Sequence, residues 1–210
     1  MHIHTTLILA SNSPRRRELL RQAGYRFVVK PPSIEDRAAA GAVSPAACVE
    51  SLAYMKAMAA VEAHGLTDGL VLAADTAVEL AGRLIGKPAD HDDARRILAE
   101  LSGSTHRVIT GMALVDLAAD SPMLKRLGER RLLAHDVTEV RMRRMTPPEI
   151  DAYVASGEAT GKAGAYALQE TGDRYVERLD GSASNVVGLP IELLARMLHA
   201  AGYDPDDFRQ

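Results

Sequence analysis

The sequence predicts an α/β protein built on a mixed, twisted sheet with helices on its faces. Buried strands and helices alternate in the first half of the chain, whereas several strands follow one another in the second half. A uniformly doubly wound fold would keep alternating, so a mixed sheet fits better. No segment repeats, and no Pro-, Gly- or Ser-rich stretch is long enough to be a linker. We therefore expect a single domain over residues 1–210, in which any two lobes share one sheet.

In the first half of the chain, local sequence features mark where each predicted helix and strand begins or ends. Residues 7–10 are a short apolar run, and Ser13 and Pro14 then supply the N-cap and the first-turn proline of a helix that stops near Gly24. Similar signals predict a strand over residues 26–30, a helix over 45–64, a buried strand over 70–74, a hairpin over 77–85 and a helix from Asp90 to Ser102-Gly103.

Longer strands dominate the second half. Residues 105–115 are rich in β-branched and apolar side chains. Over residues 138–143, Thr138, Val140 and Met142 alternate with charged residues, so these two strands should pair. The polar segment 116–131 between them is predicted to be a surface loop. The remaining signals predict a helix opened by the capping box Thr146-Pro-Pro-Glu149, short strands over 165–168 and 175–179, and a last helix over 190–198 before an acidic tail.

Composition excludes several functions before any motif is considered. The 25 Lys and Arg against 28 Asp and Glu give a net charge of −3, and only 4% of residues are aromatic, so nucleic-acid binding through a basic field or stacked rings is not expected. The single cysteine, Cys48, excludes an intramolecular disulfide and is predicted to be a small core residue. No run of about 18 apolar residues predicts a membrane span and no signal peptide is evident, so we expect a cytoplasmic protein.

Three arginines crowd the first turn of the first predicted helix, in Ser11-Asn-Ser-Pro-Arg-Arg-Arg17. Cations are unfavourable there, because a helix N-terminus carries about half a positive charge and favours acids by ~0.3 to 1 kcal/mol each. A bound polyanion would remove the conflict by accepting hydrogen bonds from the helix amides, from the hydroxyls of Ser11 and Ser13, and from the guanidinium groups. The segment indicates either a phosphate site or a solvated basic turn.

A second candidate is Asp75, which follows the apolar run Leu70-Val-Leu-Ala-Ala74. We expect it at the carboxyl end of a buried strand, where ligands of open α/β sheets gather. Asp75 could bind Mg²⁺ there or accept a proton from water, with the Thr76 hydroxyl beside it. The alternative is an aspartate that only begins a turn.

Three lysines are candidate phosphate ligands: Lys56 on the second predicted helix, Lys87 in Gly86-Lys-Pro88 and Lys162 in Thr160-Gly-Lys-Ala-Gly164. Residues 82–88 are not a Walker A loop, since the glycine spacing is one residue short and Pro88 replaces the hydroxyl residue that would bind magnesium. The seven histidines form no zincin pattern and residues 181–185 lack a complete nucleophile elbow, which excludes zinc-peptidase and serine-hydrolase chemistry.

Seven motifs occur in order between about Leu7 and Leu198: Leu9-Ala-Ser-Asn-Ser-Pro-Arg-Arg-Arg-Glu-Leu-Leu20, Leu52-Ala53 with Lys56-Ala57, Ala74-Asp75-Thr76, Gly86-Lys87-Pro88, Leu101-Ser-Gly103 with His106-Arg-Val108, Lys162-Ala-Gly-Ala-Tyr166 and Asn185-Val-Val-Gly-Leu-Pro190. Together they resemble the Maf family, the septum-formation-inhibitor-like nucleoside triphosphate pyrophosphatases. Two departures from the family's usual pattern are Ala73 in place of glycine and Gly161 in place of aspartate.

The resemblance implies a fold of two lobes around a cleft, similar to inosine triphosphate pyrophosphatases. It implies hydrolysis of a nucleoside triphosphate to monophosphate and diphosphate, with a divalent cation, Mg²⁺ or Mn²⁺, as cofactor. Asp75 stands at the position of the family's proton acceptor and would also bind the metal, with Glu35, or Asp36 beside it, as a candidate second ligand. The substrate-binding residues expected are Ser11, Ser13, Arg15, Arg16, Lys56, Thr76, Lys87, Lys162 and Gln169.

Three of these positions bear on the base. Arg15, Thr76 and Gln169 match the branch similar to dTTP/UTP pyrophosphatases, whereas the branch acting on 7-methylguanosine triphosphate typically has Trp, Gln and Glu there. The Gln169 amide can both donate to a pyrimidine carbonyl and accept from its ring N–H, whereas a carboxylate can only accept. We therefore expect dTTP and UTP as substrates. Two alternatives stay open, namely action mainly on modified nucleotides and a nucleotide-binding regulator of cell division with little turnover, as does the formation of a homodimer.

Overall fold

The computed structural model describes residues 5–34, 44–168 and 171–209. The chain forms two compact units. The first unit comprises Met1–Asp75, Thr110–Asp136 and Gly188–Gln210, and the second comprises Thr76–Ile109 and Val137–Val187.

The strands of the described residues form one seven-stranded mixed sheet. They are β1 (Leu7–Leu9), β2 (Val28–Val29), β3 (Leu70–Leu80), β4 (Arg83–Ile85), β5 (Thr105–Asp116), β6 (Arg131–Met142) and β7 (Val176–Asp180). Their order is β2-β1-β3-β5-β6-β7, with β4 paired to β3. Strand β1 is parallel to β2 and β3, whereas the β3–β4 and β6–β7 pairs are antiparallel. The predicted fold class is confirmed, as is the prediction that β5 and β6 are neighbours.

Serine, threonine or aspartate caps most of the predicted helices. The helices are α1 (Pro14–Gln22), α2 (Pro45–His64), α3 (His91–Leu101), α4 (Pro122–Leu127), α5 (Pro147–Ala155), α6 (Ala183–Val187) and α7 (Ile191–Ala200). Short 3₁₀ turns cover Ala163–Ala165, Thr171–Tyr175 and Pro205–Phe208. Ser13, Ser44 and Asp90 each accept a hydrogen bond from the N–H three residues ahead, as their sequences predict. Over the described ranges, no helix is long and apolar enough to span a bilayer.

Small side chains let α2 lie close to the sheet in the first unit. At Gly111 of β5, an added Cβ would lie 2.4 Å from backbone atoms of α2, so only glycine fits. The buried cluster around this contact is Ile8, Ala10, Ala53, Ala57, Ala60, Val71, Ala73, Ala113 and Val115. Cys48, near the start of α2, is buried as predicted.

The second unit has a larger core, which includes the buried tyrosines Tyr153, Tyr166 and Tyr175. Tyr153 of α5 and Tyr175 meet edge to face, with ring centroids 5.7 Å apart. Helix α3 packs against α5 and against the Ala163–Ala165 turn. The buried residues of α3 are Ala94, Ile97, Leu98 and Leu101, which belong to this core.

The prediction that Asp75 ends a strand is wrong, because β3 continues to Leu80. The parallel pairing of β3 with β1 reaches Leu72, opposite Leu9. Beyond it, the end of β3 pairs with β4 through a turn at Ala81-Gly82, where both residues have positive φ. The predicted strand and the first arm of the predicted hairpin are therefore one continuous strand, and Asp75 lies within it, just past the parallel pairing. The alternative that it only begins a turn is also excluded.

Other segments also differ from their predictions. The predicted loop 116–131 contains α4, which Ser121 caps and Gly128 ends. Residues 165–168 are not a strand, because Gly164 and Ala165 have left-handed φ values of 71° and 56°, which interrupt an extended chain. The strand predicted over 26–30 pairs only at Val28–Val29, and α6 and the Pro205–Phe208 turn were not predicted.

Candidate functional site

The first turn of α1 holds its hydroxyls and one arginine in a connected group. The Ser11 hydroxyl oxygen accepts from the Ser13 N–H at 3.2 Å and from Arg16 Nη1 at 3.3 Å, and the Ser13 hydroxyl accepts from the Arg16 N–H at 3.4 Å. No acidic residue lies in this turn. The unfavourable placement of cations predicted from the sequence is therefore present in the fold.

A backbone carbonyl fixes the direction of Arg16. Its Nε donates to the carbonyl oxygen of Gly188 at 2.7 Å, across 172 residues of sequence. Gly188 lies just after α6 and has a φ of 115°, a conformation that suits glycine. The sequence alone predicts no role for Gly188. The one feature of the sequence that singles out Gly188 is its place in the motif Asn185-Val-Val-Gly-Leu-Pro190, which is part of the resemblance to the family.

Lys56 and Asp75 form a buried ion pair. Lys56 Nζ lies 2.5 Å from Asp75 Oδ1, and the two residues are only 7% and 8% exposed. Helix α2 supplies the lysine and β3 supplies the aspartate. Separating such a pair leaves a buried charge uncompensated, at a cost of about 3 to 5 kcal/mol, so each group fixes the position of the other. Lys56, predicted to contact the substrate, is thus first of all the partner of the predicted catalytic acid.

The strand register relates the segment that leads into α1 to the position of Asp75 on β3. Leu9 of β1 pairs with Leu72 of β3, and the Ala10 N–H donates to the Leu72 carbonyl at 2.8 Å. Because β1 and β3 are parallel, Ser11 and Asp75 both lie beyond the same end of this pairing. The segment that leads into α1 and the buried carboxylate therefore lie on the same side of this pairing.

The second unit carries three more of the predicted residues. Thr76 follows Asp75 directly and is half-buried, and Lys87 is exposed after β4. Lys162 Nζ donates to the Glu158 carbonyl at 2.5 Å. The Gly164 N–H donates to the Gly86 carbonyl at 3.1 Å. The segments that carry Lys87 and Lys162 are therefore joined directly.

A buried glutamate supports the hairpin that leads to Lys87. Glu79 accepts a hydrogen bond from the Gly82 N–H at 2.6 Å and forms an ion pair with Arg107. Burial alone would raise the pKa of Glu79, but the contacts with Arg107 and Gly82 outweigh it and lower that pKa. The carboxylate thus stays charged and closes the turn between β3 and β4.

Three predicted site residues remain: Arg15, Glu35 and Gln169. Arg15 is half-buried on the same turn as Arg16. Glu35, with its neighbour Asp36, and Gln169 lie outside the described residues, so their predicted roles stay predictions.

The carboxylate of Asp75 fits a divalent cation that is bound jointly by the protein and by the phosphates of a substrate. Across the described ranges, no group of three or more His, Cys, Asp or Glu could hold a metal. Mg²⁺, however, is often held by one or two carboxylates together with substrate phosphates and waters, so a complete protein cage is not required. Asp75 is a carboxylate of this kind, and its contact with Lys56 uses Oδ1.

Comparison with known proteins matches residues 6–201 to the family described as Maf-like protein. A dTTP/UTP pyrophosphatase of Pelotomaculum thermopropionicum is 43% identical over 94% of this chain and 97% of its own length. Proteins of the same name from Moorella thermoacetica and Cupriavidus metallidurans are 46% and 43% identical, over 94% and 93% of this chain and 96% of each relative. Among solved structures, a HAM1 protein from Coxiella burnetii aligns with 94% of this chain and all of its own, at 20% identity and a TM-score of 0.49.

Proposed function

The chain belongs to the Maf family, and on that premise we propose that it hydrolyses nucleoside triphosphates to the monophosphate and diphosphate. Relatives more than 40% identical over nearly the whole chain are named dTTP/UTP pyrophosphatases, so dTTP and UTP are the substrates we propose. The observation that carries the proposal is the buried Lys56–Asp75 pair beside the arginine-bearing turn of α1.

In the proposed reaction, Asp75 accepts a proton from a water molecule. The water oxygen forms a bond to the α-phosphorus as the bond from that phosphorus to the departing diphosphate oxygen breaks. Lys56 holds the carboxylate in place, and its charge offsets that of the buried anion. Residues aligned for such a transfer act mainly by positioning and electrostatics, with no covalent intermediate.

The α1 turn is proposed to bind the phosphates. Arg16, already directed by the Gly188 carbonyl and the Ser11 hydroxyl, presents its remaining N–H groups to phosphate oxygens. A divalent cation held by Asp75, with Glu35 as the proposed second ligand, would supply charge neutralisation at the departing diphosphate. Lys87 and Lys162 are proposed as further phosphate ligands, and Arg15, Thr76 and Gln169 as the residues that select the base.

A panel of ordinary and modified triphosphates, each with Mg²⁺ or Mn²⁺, tests the activity. We expect equimolar release of nucleoside monophosphate and diphosphate, fastest with dTTP and UTP. Nucleoside diphosphate and orthophosphate as products would show that the wrong bond has been assigned. Faster hydrolysis of modified pyrimidine nucleotides would move the substrate assignment to them, and tight binding without turnover would indicate the regulator instead.

Asp75→Asn tests the proposed base. The amide keeps the size of the side chain but cannot take the proton, so we expect kcat per folded molecule to fall by about 10² to 10⁴, the usual contribution of a general base. Because the variant also removes the counter-charge of Lys56, the folded fraction is measured by circular dichroism alongside kcat. Binding of the triphosphate should persist in calorimetry. Asp151→Asn, on the exposed face of α5, is the matched control and should keep wild-type kcat. Unchanged turnover in Asp75→Asn would remove this residue from the mechanism.

A further inference from the structure

A buried histidine in the second unit has no role in the reaction as described. His106 of β5 is 1% exposed. Its Nε2 lies 2.8 Å from the Tyr166 hydroxyl, and within the described part of the chain its Nδ1 has no hydrogen-bond partner. Leaving a buried polar atom unsatisfied is costly, and an apolar residue would avoid that cost. What His106 contributes must therefore come through its contact with Tyr166.

Tyr166 ends the short turn that begins at Lys162. The tyrosine is buried, and its ring meets the His106 ring edge to face, with centroids 5.5 Å apart. An added Cβ at Gly164 would lie 3.3 Å from Cε1 of Tyr166, so the ring packs directly against the middle of the turn. The Ala165 N–H donates to the Lys162 carbonyl at 3.1 Å, which closes the turn.

The turn adopts a conformation that the chain alone disfavours. Gly164 and Ala165 are consecutive left-handed residues, and alanine rarely adopts a positive φ. Such a backbone persists only where its surroundings hold it, and here the surroundings include Tyr166 and the Gly164 N–H bond to the Gly86 carbonyl. Through that bond the turn also fixes the segment that carries Lys87.

We propose that His106 is a positioning residue for phosphate binding: by holding Tyr166, it keeps the turn of Lys162 against the loop of Lys87. This inference rests on the proposed function, since it assigns those two lysines to the phosphates. Burial lowers the pKa of His106 to about 4, so the ring is neutral at physiological pH and can either donate or accept through Nε2. A neutral ring adds no charge to compete with the lysines.

Variants of the pair test this role in the full-length protein. Tyr166→Phe removes only the hydroxyl, and His106→Leu removes the imidazole. Each should raise the KM for UTP about tenfold, the effect of one lost hydrogen bond of ~1.4 kcal/mol, while kcat stays within about threefold. The double variant should be no worse than the weaker-binding single variant, because both remove the same contact. His106→Gln, whose amide can bond to the Tyr166 hydroxyl, should recover most of the affinity.

A second measurement separates this inference from the proposed function. Calorimetry with inorganic tripolyphosphate reports phosphate binding without turnover, and its Kd should rise by the same factor as KM. Tyr175→Phe removes another buried hydroxyl of the same core, one that accepts from Arg174 at 2.6 Å, and should leave KM and this Kd unchanged. Folded Tyr166→Phe with KM and Kd within about twofold of wild type would overturn the inference, whatever His106→Leu does. Failure of the wild type to hydrolyse any triphosphate would instead overturn the proposed function.

Discussion

The charged residues of the candidate site are of two kinds: three arginines that follow one another in the chain, and an ion pair between Lys56 and Asp75 on different elements. Three arginines at a helix N-terminus conflict with the helix dipole, and that conflict can be read from consecutive residues. The buried pair joins residues 19 positions apart on a helix and a strand, so it exists only once α2 lies on the sheet. For the same reason the Gly188 carbonyl, which directs Arg16, could not be assigned from the sequence.

Lys56→Met should destabilise the protein strongly. It leaves the Asp75 carboxylate buried without its cation, and we expect a loss of about 3 to 5 kcal/mol in the free energy of unfolding, measured by urea denaturation. The double variant Lys56→Met with Asp75→Asn should recover most of this loss, because a neutral amide needs no counter-charge.

Lys125→Met provides the matched control for this prediction. Lys125 is paired with Asp120, but both side chains are more than 60% exposed, so the loss should stay below about 1 kcal/mol. A double variant as unstable as Lys56→Met alone would show that packing of the lysine stem, and not the charge of Asp75, sets the stability.

At the scale of elements, capped helices were predicted well and continuous strands were not. Prolines and N-cap residues mark the starts of α1, α2, α3 and α5 in the sequence itself. Whether β3 stops at Asp75 or continues depends on its partners, which change from β1 to β4 along its length. The sequence predicts a loop where the six-residue α4 lies, because this segment is rich in charged residues. The residues that begin and end the helix, Ser121-Pro122 and Gly128, are nevertheless present in the sequence.

Gly111→Ala should displace α2 from the sheet. The added methyl group would lie 2.4 Å from backbone atoms of Val49 and Glu50, which cannot move without the helix. We expect a loss of about 1 to 3 kcal/mol in stability. Because Lys56 lies on the same helix, kcat/KM should fall as well, beyond any change in the folded fraction.

The control for Gly111→Ala is Met55→Ala, which changes a residue of α2 that is 55% exposed. Stability and kcat/KM should both stay near the wild-type values. If Gly111→Ala also kept wild-type stability and turnover, the close approach of α2 to β5 would not position the Lys56–Asp75 pair.

At the scale of the molecule, the class of fold was predictable but the order of the strands was not. Alternating elements followed by consecutive strands indicate a mixed sheet, since long connections suit parallel pairs and short ones suit antiparallel pairs. The observed order, β2-β1-β3-β5-β6-β7, depends on pairings such as Leu9 with Leu72 that no local pattern specifies. The division into two compact units likewise follows the contacts and not the sequence, since each unit is assembled from separate segments.

The overall charge predicts that the protein does not bind nucleic acid tightly. In a chain of net charge −3, Arg15, Arg16 and Arg17 supply only three adjacent cations, whereas a duplex needs many phosphate contacts for useful affinity. In fluorescence anisotropy with labelled 20-nucleotide single and double strands, we expect at most weak binding near 50 mM salt and none near 200 mM, because each phosphate contact steepens the salt dependence. UTP should bind under both conditions. Micromolar binding of the single- or double-stranded oligonucleotide near 200 mM salt would contradict this prediction. If the logarithm of the binding constant also fell with the logarithm of salt concentration with a slope of about −3 or steeper, the arginine turn would be a nucleic-acid site and not a triphosphate site.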